Sequence, residues 1–142
     1  MRMVAVESSR PTFRSLGVAA EIVDALTDQG IDRAFAIQER TLPLALTGKD
    51  LIGQARTGMG KTLGFGVPML DRLFDDADIT ELDGTVRGLV VVPTRELCLQ
   101  VAEDLTGAST RLTAPVGPGK DATRPFRVTA IYGGVTFEKQ TA

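Results

Sequence analysis

Gly58, Gly60, Lys61 and Thr62 fall within five consecutive positions, and their types suit one task, the holding of phosphate. Glycine has no Cβ, so its backbone takes left-handed angles and approaches a ligand closely. Successive backbone N–H groups can then point into one concavity that suits phosphate oxygens. A helix opening near Lys61 adds unpaired N–H groups and a positive dipole end at the same spot. In such a loop Lys61 would reach the β- and γ-phosphates and the Thr62 hydroxyl would ligate Mg²⁺. Ala55, Arg56, Thr57 and Met59 complete the loop. Ala55 stands where the most familiar version of the motif has glycine. The plainer alternative is a Gly-rich turn ahead of an ordinary helix.

The setting favours the phosphate loop. Residues 50–54 read as a short buried strand and 63–74 as a helix, which is the strand–loop–helix context this motif requires. Upstream, Ile22, Val23 and Leu26 recur at helical spacing within 18–29, and Gly30 is a C-cap candidate. A second helix is predicted over 36–46, kinked by Pro43 and stopped by Gly48. Pro68 is expected to bend the loop's own helix. Residues 75–84 form an acidic, turn-rich connection that reads as a solvated surface loop. Residues 86–92 are β-branched and nearly all apolar, as a strand buried on both faces should be. Pro93-Thr94 ends that strand, and Leu97, Val101 and Leu105 then mark a helix face. Residues 106–125 are rich in Gly, Pro, Ser and Thr and read mostly as loop. Residues 127–131 read as a third strand before Gly133-Gly134. Strands alternating with helices imply a parallel sheet with right-handed crossovers. Ligands then sit beyond the carboxyl ends of the strands, where the phosphate loop, Pro93-Thr94 and Gly133-Gly134 all fall.

Composition narrows the choices. The chain of 142 residues is 43% hydrophobic, enough for one packed domain. There is no histidine and one cysteine, Cys98, so an internal disulfide framework and a His-based triad are excluded and a zinc site is not expected. Cys98 reads as a core thiol in a reducing compartment. Neither a signal peptide nor a membrane span is apparent, because the longest aliphatic run, 89–92, is far too short. A net charge of −2 means that any nucleic-acid contact must come from a local patch. A cytoplasmic location is expected.

Three segments together resemble one family. The chain is similar to the N-terminal part of a DEAD-box RNA helicase. Ala55-Arg56-Thr57-Gly58-Met59-Gly60-Lys61-Thr62 matches motif I, A-x-T-G-x-G-K-T, in which alanine is normal at the first position. Pro93-Thr94-Arg95-Glu96-Leu97 with Gln100 matches motif Ia, and Gly133-Gly134 matches the GG element. Residues 30–38 resemble the adenine-reading Q motif, and Phe13 lies where the family places an isolated aromatic. The Q motif, taken as 11–39, departs from G-F-x-x-P-T-x-I-Q at three positions. Ile31 replaces its aromatic, Ala34 its proline and Phe35 its small hydroxyl residue. The likeness runs from Phe13 to about Lys139.

The resemblance implies a fold and a set of roles. The fold would be α/β, a P-loop (RecA-like) three-layer parallel sheet flanked by helices, here incomplete, over 13–142 after a flexible segment 1–12. ATP and Mg²⁺ would be the cofactors, with Lys61 and Thr62 catalytic and Thr62 on the metal. Phe13, Arg33 and Gln38 would join residues 55–62 in binding nucleotide. Gln38 could pair with adenine N6–H₂ and N7 together, a pattern guanine cannot match. Phe13 could stack on the base, a contact worth about 1–3 kcal/mol in nucleic-acid complexes. Taken without the family, Gln38 reads equally as a solvent-facing helix residue and Phe13 as a hydrophobic cover. Pro93, Thr94, Arg95, Gly133 and Gly134 would hold the RNA backbone, contacts that carry no sequence information. An exposed Arg95–Glu96 ion pair is the plainer alternative there.

The Asp-Glu-Ala-Asp motif, the Ser-Ala-Thr motif and the second lobe of that family are not among these residues. The metal-holding carboxylates and the second lobe's arginines go with them, and an arginine finger alone is worth about 10³–10⁵ in rate. This polypeptide by itself is expected to bind adenine nucleotide weakly, to hold RNA poorly and not to unwind it. Its sheet should have an unprotected edge. Two rivals remain, a non-catalytic nucleotide-binding module and a P-loop enzyme of another class such as a small-molecule kinase.

Overall fold

A computed structural model describes residues 9–75, 85–115, 123–134 and 136. A 3₁₀ turn, Arg14–Leu16, leads into four helices: α1 (Ala20–Asp28), α2 (Ala36–Ala45), α3 (Lys61–Asp75) and α4 (Arg95–Ala108). All four lie where the sequence places a helix. Helix α1 buries Ile22, Ala25 and Leu26, which share one face at helical spacing. It has no capping side chain of its own. Instead the Asp71 carboxylate, on α3, accepts the Ala19 N–H at 2.7 Å, placing an anion at the positive end of α1. Gly30, with φ +75°, follows its last turn.

Helix α2 runs unbroken through Pro43 and α3 through Pro68. Glycine in mid-helix ordinarily costs about 1 kcal/mol relative to alanine. Gly66 has a packing reason, because a Cβ there would collide with Leu105 Cδ2 of α4. The two helices thus cross in close contact, burying Leu63, Val67 and Leu70 from one and Val101, Leu105 and Ala108 from the other. Phe13, Ile22, Leu26 and Leu42 complete the same core.

The sheet departs from expectation. Among the described residues the one ladder is a short antiparallel pair, β1 (Thr113–Pro115) with β2 (Thr123–Pro125), Ala114 facing Arg124. It lies inside the stretch 106–125, predicted to be mostly loop, and α4 takes the start of that stretch. The three predicted strands, 50–54, 86–92 and 127–131, carry no ladder pairing. They nonetheless lie against the helices. A Cβ on Gly53 would sit 3.7 Å from Ile37 and Thr41 of α2, and one on Gly88 would sit 3.1 Å from Met69 Sδ of α3. Val90, Val92, Phe126 and Val128 pack on the core, while Leu89 and Val91 are about four-fifths exposed. The expectation of burial on both faces is therefore corrected. Residues 89–92 and 127–131 alternate with period two, one side on helices and the other exposed, whereas 50–54, expected to be a buried strand, is exposed throughout.

Two smaller expectations also change. The loose start predicted over 1–12 tightens before its end, since the Ala34 N–H donates to the Pro11 carbonyl at 2.9 Å and Thr12 bridges Arg33. Cys98 is half-buried rather than in the core, with Sγ 3.8 Å from the Ile131 carbonyl. The acidic connection, apart from Asp75, lies outside the described residues.

Candidate functional site

The structure gathers the predicted residues into two groups. In the first, residues 57–59 form a turn and α3 starts directly after Gly60. Gly58 and Gly60 both have positive φ, +79° and +76°, which other residues adopt at a cost of about 1–2 kcal/mol. Their surroundings differ. A Cβ on Gly58 would meet nothing within 4 Å, whereas one on Gly60 would collide with Gln38 Nε2 and lie 2.7 Å from Phe35 Cδ2. Gly58 leaves the mouth of the loop open, and Gly60 lets the loop press against α2. The Lys61 ammonium folds back over the loop and donates to the Ala55 and Arg56 carbonyls at 2.6 and 2.8 Å. It thereby joins the loop's beginning to its end and keeps one of three donors spare. Thr62 follows, half-buried in the first turn of α3.

Gln38 holds this loop to the rest of the domain. It is 1% exposed, which removes the reading of a solvent-facing residue. Its Oε1 accepts the Phe35 N–H at 2.8 Å and its Nε2 donates to the Gly60 carbonyl at 2.8 Å. Phe35 is the N-cap residue of α2, but its ring can accept no bond from the first turn. Gln38, three residues on, supplies the return half of a capping box and spends its other end on the phosphate loop.

The remaining predicted nucleotide residues serve structure. Phe13 is 1% exposed and lies inside the core, so its ring shows no free face for a base. Arg33 donates to the Arg10 carbonyl at 2.7 Å. Arg10 in turn lies over the Phe35 ring, 5.0 Å from its centroid. Sequence reasoning met Phe35 only as a departure from a pattern. Its place beside Gly60 depends on how α2 packs against the loop, which no local signal carries.

The second group is built on α4. Thr94 is its N-cap, and the hydroxyl accepts the Leu97 N–H at 3.2 Å, as predicted. Pro93 and Arg95 are exposed beside it. Gly133 and Gly134 form a turn, with φ +84° at Gly134 and open space at both Cβ positions. Tyr132 was not foreseen. The Arg95 guanidinium lies over its ring, 4.7 Å from the centroid, which joins the start of α4 to the double-glycine turn. The available signal was an aromatic residue directly before that turn.

A glycine loop closed by lysine at a helix start is the loop form of the P-loop class. The family is specific. Residues 35–142 match the model of the DEAD/DEAH box helicase, and the chain belongs to that family. It is 39% identical over 129 residues to the DEAD-box ATP-dependent RNA helicase CshA of Geobacillus kaustophilus, covering 91% of this chain and 24% of that protein. The Bacillus cereus CshA is 41% identical over the same length, 91% of this chain and 21% of its own. The chain thus spans about a quarter or less of the relatives it matches. Among solved structures, the RNA helicase Prp28 of Chaetomium thermophilum bound to ADP superposes with a TM-score of 0.71 at 30% identity, covering 92% of this chain and 28% of that one. Dbp5 of S. cerevisiae bound to RNA and ADP BeF3 gives 0.60 at 29% identity, covering 70% and 24%. The RecA-like α/β class read from the sequence is the class of these neighbours, present here as a partial version with its helices and a small two-stranded sheet.

Proposed function

We propose that residues 13–142 form the ATP-binding part of an ATP-dependent RNA helicase lobe, and that the protein works in the cytoplasm. No helix among the described residues is long and apolar enough to cross a membrane. The observation that carries the reading is the buried Gln38 amide bonded to the phosphate loop. An amide offers two donors and two lone pairs. One of each is used internally, and the remaining N–H and lone pair are the complement of adenine N7 and N6–H₂; because the side chain is 1% exposed, a base pairs with them only once the amide turns out of its present seat.

Lys61 places its charge on the β- and γ-phosphates, next to the N–H groups of residues 58–62. Magnesium fits through one hydroxyl. Thr62 stands in the first turn of α3, and no cluster of three His, Cys, Asp or Glu side chains occurs among the described residues. Mg²⁺ accepts such a site when phosphate oxygens and water complete its shell. When bound, the ion neutralises developing phosphate charge. Thr94, Arg95 and the Gly133-Gly134 turn take the backbone of RNA, as supported by the RNA named for Dbp5.

Calorimetric titration with ADP and with GDP in Mg²⁺ tests the reading. Binding of ADP but not GDP, lost in Gln38→Ala, is the expected result. Equal affinity for both removes Gln38 as the base reader and favours a P-loop enzyme of another class. Phosphorylation of a small acceptor would support that rival directly.

A further inference from the structure

We infer that Tyr132 is a positioning residue for RNA, holding the Arg95 guanidinium edge-on to a backbone phosphate beside the Gly133-Gly134 turn. The inference rests on the reading of Arg95 as an RNA contact. Arg95 is the first residue of α4 and its side chain is exposed. A free arginine at such a place carries about 2 kcal/mol of rotamer entropy, which binding must remove. Here the side chain already has a seat, because its Cζ lies 4.7 Å from the Tyr132 ring centroid.

The geometry of the two interactions makes them compatible. A cation–π contact uses the face of the guanidinium. The N–H donors lie in its plane and point outward, so the fork that grips phosphate bidentately stays free. The ring is held in turn, since Tyr132 is half-buried. The chain just before it also touches α4 a second time, where Cys98 Sγ lies 3.8 Å from the Ile131 carbonyl. Cys98 is three residues after Arg95 and so on the same helix face. The residue after Tyr132 opens a turn with no atom within 4 Å of either glycine's Cβ position. One phosphate can therefore meet the arginine fork and the turn's backbone together.

The chemistry assigned to Tyr132 is that of its ring, not its hydroxyl. Fluorescence anisotropy of a labelled oligouridine with the 142-residue chain, titrated across KCl concentrations, separates the possibilities. Tyr132→Leu should weaken binding about two- to five-fold, the size of an exposed cation–π contact. Tyr132→Phe should bind as the unmodified chain does, and Tyr132→Leu should add nothing once Arg95 is alanine. Arg95→Ala should lower the salt slope by about 0.7, one phosphate on a single strand. Circular dichroism melting of each variant checks the fold. If Arg95→Ala weakens binding but Tyr132→Leu does not, the positioning role is overturned and the RNA reading stands. If Tyr132→Phe is as weak as Tyr132→Leu, the hydroxyl is the active group and the inference fails. If Arg95→Ala changes nothing, the RNA reading fails and takes the inference with it.

Discussion

The two halves of the site are held by opposite means. At the phosphate loop the fixing groups are buried and hydrogen-bonded. Gln38 joins the N-cap of α2 to Gly60, and Lys61 ties the loop's own ends together. At the start of α4 the fixing contact is a stack on the surface, Arg95 on Tyr132. The shape of the first half is inseparable from stability. The second can be altered with little effect on folding, because water solvates whatever is exposed. A buried polar group left without a partner costs about 1–3 kcal/mol, whereas an exposed contact contributes a fraction of that.

The largest effect should come from Gly60→Ala. The new methyl collides with Gln38 Nε2, lies 2.7 Å from the Phe35 ring, and requires φ +76° of a residue with a Cβ. Left-handed strain of about 1–2 kcal/mol and overpacking of about 1–3 kcal/mol together should lower unfolding free energy by about 3–4 kcal/mol. Urea denaturation measures this, and ADP binding should be lost with it. A midpoint unchanged from the parent chain would mean that the loop is not pressed against α2.

Gln38→Ala comes next. It leaves the Phe35 N–H without its partner and the Gly60 carbonyl with the Gly64 N–H alone, and water hardly reaches the position, which is 1% exposed. A loss of about 2–3 kcal/mol follows, readable in the same urea experiment. A loss well below 1 kcal/mol would place the two halves on the same footing and break the comparison.

Arg95→Ala should be the smallest change in stability, within about 1 kcal/mol, since only an exposed cation–π contact is removed. Its effect belongs to RNA affinity instead. A destabilisation equal to that of Gln38→Ala would show that the surface stack also holds the fold.

A similar contrast runs through the whole chain and explains what could be read from it. The four helices were legible because their signals are local. Ile22 and Leu26, or Val101 and Leu105, fall on one face by spacing alone, and Thr94 caps α4 with its own side chain. The strands were legible only as patterns. Residues 86–92 have strand composition, but a strand exists through its neighbours, and among the described residues those neighbours do not pair with it. Val90 and Val92 find the helices, while Leu89 and Val91 remain exposed. β1 and β2 escaped notice for the converse reason, since a three-residue antiparallel pair of Thr, Ala, Arg and Pro residues leaves almost no periodic trace. The motifs stood out because glycine, lysine and threonine at fixed spacing encode a backbone path and a charge at once.

The sequence by itself determined that a glycine loop closes onto the start of a helix and that Thr94 opens another. Each of these is settled by residues close together along the chain, where torsional preference and capping act within one turn. Only the tertiary structure decided that Phe13 lies in the core, that Gln38 spends half its amide on Gly60, and that Tyr132 lies under Arg95. Those outcomes depend on segments far apart in sequence coming into contact. Burial and stacking are properties of the packed neighbours, and no residue carries them alone.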